Sequence, residues 1–373
     1  MKRKTAQFAE AVHDLGGVLD ASTLPHEMAS MFDNIDTRNA FIIDGINERP
    51  LYTDPCGDIF LGHVYNSDLN AVAFEHRGQE WVGLYAGLSL TINALSFGLF
   101  GCPDFLPRTF PTKTERFGVK DVREAVRAII DPHRTPKTTI GQPRSYERAM
   151  ASAYVTGLCQ TLASFHEIGH IVGGHLMHLS AQRSGGAIRR FEHSEGSESG
   201  RIGEDLSQAL EFDADAYSVG LILGVALKST WVFFQFMELS RETIATYYCL
   251  AVNLIFHILD VFSLNGQLKT SSTHPVPGVR LALAYVVICA YLEREAPDLV
   301  KCVPELFAKC YGDVAEFWCS IGFPRRTVEG DFGALYEVGR EIQAKQKQLR
   351  EDILKELCQR RREKLEASRG KRQ

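Results

Sequence analysis

The spacing of apolar positions divides the chain into a short strand-forming stretch and a helical remainder. Ile59-Phe60-Leu61 and Asn70-Ala71-Val72-Ala73-Phe74 are β-type runs. His76-Arg77-Gly78-Gln79 has turn composition, and Glu80 to Tyr85 reads as the returning strand. Residues 1–50 read as a helix followed by a loop. From Ala86 to Phe100 the pattern is that of a buried helix, and Lys120 to Ile130 is a short amphipathic one. Tyr146 to Leu179 reads as one long helix, with Gly173-Gly174 as a kink or an end. Another helix begins near Asp205 or Ser207, either of which can cap it, and runs through Gly224. Helices are expected over 231–263 and 277–293. Leu335 to about Ser368 forms a long charged helix with Val338, Ile342, Leu349, Ile353, Leu354 and Leu357 as its apolar stripe.

Pro132 to Pro143 has linker composition, and 181–205 is a loop rich in Gly and Ser. The expected class is α+β, predominantly helical, with a small antiparallel sheet. The division is an N-terminal segment over 1–57, a central domain over 58–293 and a C-terminal helical extension over 294–373 with a basic end.

Composition narrows the function classes. The chain has 373 residues, 45% of them hydrophobic and 23% charged, the balance of a folded globular protein. The net charge of −5 is uneven: Arg340 to Gln373 carries 12 basic and 6 acidic residues, so the acidic excess lies elsewhere. An acidic body is a poor general binder of nucleic acid, and none is expected as a partner. The basic tail reads as a solvated helix end. The 9 cysteines form no CxxC pair, and several sit inside apolar runs. Buried free thiols in a reducing compartment account for them, which gives a cytoplasmic expectation. Trp81 to Pro103 and Thr243 to Leu259 carry no charge, but both contain polar residues, so membrane association is not favoured.

The candidate chemistry is in Phe165-His166-Glu167-Ile168-Gly169-His170, an H-E-x-x-H motif on a predicted helix. Histidines four residues apart share a helical face, so His166 and His170 can converge on one cation. Glu167 is rotated off that row and is placed as a general base toward a water at the cation. A third ligand is needed. Glu211, in Leu210-Glu211-Phe212-Asp213-Ala214-Asp215-Ala216, is the candidate, and Asp213 is its rival. Asp215 shares the Glu211 face and can accept the other N–H of a ligand histidine. His175 and His178 follow the motif but stay outside the ligand set, and so does His193 in the loop. Two histidines and a carboxylate leave a fourth position for water. In Thr273-His274-Pro275-Val276-Pro277-Gly278-Val279-Arg280, His274 could reach a developing oxyanion and Arg280 could orient carboxylates. Tyr217 is a second oxyanion candidate.

Together these blocks resemble the HtpX-like and CAAX-prenyl-protease type of gluzincin metallopeptidase. The resemblance rests on Asn70-Ala71 before the metal helix, the H-E-x-x-H with His175 after it, Glu211 with Asp215, and Ser272-Thr273-His274-Pro275 with Arg280. It covers roughly 68–290; the residues after 293 have no counterpart in it. It implies a zincin-like core with the small sheet beside the metal-binding helix. It also implies one zinc ion (Zn2+) held by His166, His170 and Glu211, and Glu167 as base. The implied activity is hydrolysis of a protein or peptide substrate. As a soluble enzyme with this site, the chain is also similar to the Lit-type phage-exclusion peptidases of bacteria. The alternative from another class is a non-catalytic helical binding or regulatory protein with a structural or vestigial H-E-x-x-H.

Overall fold

The computed structural model describes residues 2–48, 58–77, 79–106, 118–130, 142–176, 178, 190–191, 204–228, 239–264, 277–322, 347–348, 350–352 and 355. The protein is predominantly helical with a small sheet. Helices α1 (Lys2–Ala11) and α2 (His26–Glu48) precede strands β1 (Ile59–Val64), β2 (Ala71–His76) and β3 (Gln79–Tyr85). Next come α3 (Ala86–Phe100), α4 (Val119–Ile130), α5 (Tyr146–Val172) and the two-residue strand β4 (Arg190–Phe191). Helices α6 (Glu204–Lys228), α7 (Arg241–Leu264), α8 (Pro277–Glu295) and α9 (Val303–Ser320) complete the described elements.

The sheet order is β1-β3-β2-β4. The expected antiparallel sheet is corrected to a mixed one. β2 and β3 form the antiparallel hairpin, with Ala73 opposite Val82, but β1 pairs in parallel with β3. The turn at Arg77, whose φ is 55, sends β3 back between its two predecessors. The last five residues of β3, Trp81 to Tyr85, carry no charge and are all buried, which suits a central strand.

Alternation sorts the side chains between two faces. Val64, Val72, Phe74, Trp81 and Tyr85 form a small core with Phe8, Val12 and Leu15 of the N-terminal segment. Ile59, Ala71, Ala73, Val82 and Leu84 face the main core with the helices. The second helix of the N-terminal segment, α2, lies where a loop was expected. Its Phe32, Ile35, Ile42 and Ile43 are buried at helical spacing. α9 falls within the expected C-terminal helical extension, although no helix was placed at these residues, and it buries Phe307, Val314, Phe317 and Trp318. Most of the charged helix expected over 335–368 lies outside the described residues.

The long helix α5 sits at the centre. It packs against α3, α6, α7 and strand β2. Among the described residues one helix, α7, has a stretch long and apolar enough to cross a membrane. That stretch, Arg241–Leu259, is 72% buried within the protein. The described cysteines, among them the buried Cys159, Cys249 and Cys310, are free thiols.

Candidate metal centre

The site forms where α5 crosses α6, and Gly169 sets how closely they cross. A Cβ at Gly169 would lie 2.9 Å from Ala214 Cα and 3.0 Å from Ala214 O. Any side chain there would push the helices apart. With glycine in place the backbones meet, and Glu211 and Asp215, on either side of Ala214, face the motif histidines.

Three donors converge as a result. His166 Nε2 lies 3.3 Å from His170 Nε2 and 3.3 Å from Glu211 Oε2, and His170 Nε2 lies 3.5 Å from Glu211 Oε1. These spacings can be compared with what a cation needs. Ligand distances of about 2.0–2.1 Å in a tetrahedron give edges of roughly 3.3 Å. The histidine pair matches that edge, while Glu211 meets the two histidines through different carboxylate oxygens. With one ligand atom from each residue the three atoms lie within 4.8 Å of one another, and His166, His170 and Glu211 are the one metal-capable group among the described residues.

Each histidine has a partner behind it. His166 Nδ1 pairs with Asp215 Oδ1 at 2.9 Å. Arg280, one turn into α8, donates to both Asp215 oxygens at 2.7 Å. His170 Nδ1 meets His175 Nδ1 at 2.9 Å, and His175 Nε2 reaches Asp213 Oδ2 at 3.1 Å. The second oxygen of Asp213 is taken by Arg350 Nε. The glycine pair after α5 makes the His170–His175 contact. Gly174 has a φ of 72, so the chain reverses there. A Cβ on Gly173 would lie 2.5 Å from the His175 ring.

Glu167 is buried beside this set on an apolar cleft. Leu88, Leu162, Val219, Ile255, Phe256 and Leu259 form the wall, with Asn70 and Ser218 at polar positions and His166 and Glu167 at the metal end. Glu167 Oε2 has no hydrogen-bond partner among the described residues.

No family model matches the chain, and no curated protein or solved structure matches it either. The chemistry of the centre rests on its own geometry and charge.

That charge is tightly balanced. Burial lifts the Glu167 carboxyl to about 7; His166 opposes the rise and Glu211 adds to it. Burial also works against a charged His166, but Asp215 and Glu211 outweigh it and raise the imidazole to about 10. Asp215 is held below the usual carboxylate range because Arg280 and then His166 overcome its burial. In the same way His175 and then Arg350 hold Asp213 down. Arg280 is pushed up despite its burial, chiefly by Asp215.

The sequence candidates fall into distinct places. His166, His170 and Glu211 come together, and Glu167 lines the cleft beside them. Asp215 and Arg280 stand behind His166. Asp213, the rival ligand, turns to His175 and Arg350. His178 is buried outside the donor set. His274 and His193 lie outside the described residues. Sequence reasoning did not find Arg350. It kept His175 outside the ligand set but assigned it no partner, although the preceding Gly-Gly signals a reversal that returns the next side chain to the helix end.

Proposed function

We propose that the protein is a zinc-dependent peptidase that hydrolyses peptide bonds in the cleft beside α5. The observation that carries this reading is the convergence of His166, His170 and Glu211 at contacts of 3.3–3.5 Å, with Glu167 next to them on an apolar cleft. Two imidazoles and one carboxylate in a tetrahedral arrangement suit zinc. When bound, such a cation lowers the pKa of water and polarises a carbonyl oxygen.

The residues of the chain supply the rest. His166, His170 and Glu211 would hold the cation, and three protein ligands would leave one position for water. Asp215, clamped by Arg280, keeps the proton of His166 on Nδ1, so that Nε2 presents its lone pair. Glu167 offers Oε2 to a water in the cleft and takes its proton as the oxygen adds to the scissile carbonyl. A carboxyl group lifted to about 7 exchanges protons readily near neutral pH. As the C–N bond breaks, Glu167 returns the proton to the leaving nitrogen. The apolar wall excludes bulk water and accepts an apolar substrate side chain. A zincin-like core around α5 and the sheet belongs to this same proposal, as does a cytoplasmic protein or peptide substrate.

The test begins with elemental analysis of wild type, His166→Ala and Glu211→Ala. About one zinc per chain is expected in the wild type, lost in both variants. Glu167→Gln should keep the metal and lower hydrolysis of a casein or peptide-library substrate by about 10³-fold. A folded wild type that cannot be loaded with metal, or full activity in Glu167→Gln, refutes the proposal.

A further inference from the structure

Arg350 comes from a part of the chain that the proposed chemistry leaves unused. It is 137 residues away from Asp213 in sequence, in the basic C-terminal segment, yet its Nε donates to Asp213 Oδ1. Asp352, in the same short helical stretch, lies within electrostatic reach of His178. The segment therefore sits against the turn that follows α5.

With His170 Nε2 kept free to hold a cation, the hydrogen bonds behind His170 have one consistent assignment. A guanidinium only donates, and an ionised carboxylate only accepts. Asp213 therefore accepts from Arg350 on one oxygen and from His175 Nε2–H on the other. With its proton on Nε2, neutral His175 offers Nδ1 as an acceptor. His170 Nδ1 then carries a proton and donates across 2.9 Å. His170 Nε2 is left with its lone pair directed at His166 and Glu211. Each link fixes the tautomer of the next.

We propose that Arg350 is a positioning residue for the metal centre: through Asp213 and His175 it fixes the orientation and tautomer of His170. The C-terminal segment is thus an outer support of the site. This rests on the metal reading of His166, His170 and Glu211. Arg350 touches neither the cation position nor the cleft, so its effect appears in metal affinity and in the imidazole signals.

The experiment uses the full-length chain stripped of metal. Wild type, Arg350→Met, Arg350→Lys and Lys355→Met are titrated with Co2+ and followed by visible absorption. Long-range 1H–15N spectra of the metal-free proteins report the His170 and His175 tautomers. Arg350→Met should bind Co2+ about tenfold more weakly, the lower end of the loss for an outer partner of a ligand histidine. Its His170 and His175 signals should shift as well. Arg350→Lys should recover part of both effects, because lysine returns the charge without the guanidinium geometry. Lys355→Met, which removes a cation of the same segment that pairs with Asp352 and not with Asp213, should match wild type. Wild-type affinity together with wild-type imidazole signals in Arg350→Met overturns the proposal while leaving the metal reading intact. A wild type that takes up no Co2+ overturns both.

Discussion

His166 and His170 belong to one motif, but they are held by unlike arms. Behind His166 the arm is short and closed: Asp215, then Arg280, whose side chain is 10% exposed and donates two hydrogen bonds of 2.7 Å. Behind His170 the arm is longer by one imidazole and ends on Arg350, whose side chain is 53% exposed. The first arm is built into the packed helices. The second arm is closed by a distant segment that reaches in from the surface. The same carboxylate–arginine chemistry therefore has different energetic weight in the two arms. Asp215 without Arg280 stays sealed among packed helices, whereas Asp213 without Arg350 keeps His175 and gains water where a half-exposed side chain stood.

The sharpest way to break the comparison is to cut both arms at their arginines. Arg280→Met should destabilise the protein by about 3–5 kcal/mol, because Asp215 stays buried without its partner. Arg350→Met should cost at most about 1 kcal/mol. Urea denaturation of the two variants measures the difference, and equal losses would remove the distinction. Gly169→Ala should fall between them, at about 1–3 kcal/mol, by forcing α5 and α6 apart. Because it displaces Glu211 from both histidines, it should also reduce metal uptake without favouring either arm.

A pH series sharpens the comparison further. Asp215 and Glu211 hold His166 protonated up to about 10 in the metal-free protein. A cation must displace that proton, so affinity should climb by about tenfold per pH unit between pH 7 and 9 and level off above about 10. Isothermal titration in buffers of different ionisation enthalpy should register the released proton. The same proton stabilises the metal-free fold. That stability is fully present below about pH 6.5 and is lost as pH rises through about 10. The smallest expected effect is on Arg350→Lys, which should fall within about 0.5 kcal/mol of wild type in denaturation.

Local period made one half of this site legible in the sequence. His166, Glu167 and His170 lie within two turns of one helix, where spacing fixes direction. Glu211 and Asp215 were legible as one face of a second helix for the same reason. Asp213 was misread as a rival ligand, because no helical wheel reveals a His175 brought back by the glycine turn. Arg350 could not be read at all, since a cation on a charged amphipathic helix looks like solvated surface until the fold brings Asp213 to it. The sheet follows the same rule. The hairpin of β2 and β3 was legible because its turn is local, whereas the parallel pairing of β1 depends on which side the hairpin docks.

The backbone contact between Gly169 and Ala214 also gives the centre a history within each molecule. The ribosome makes both histidines well before Glu211, so a nascent α5 offers a cation only two donors. The third donor arrives when the second helix closes over the glycine. Metal captured earlier would be held loosely and would exchange; metal captured after closure would leave only if the helices part. On the metal reading, the crossing would separate a stage of free exchange during synthesis from one of retention in the finished protein.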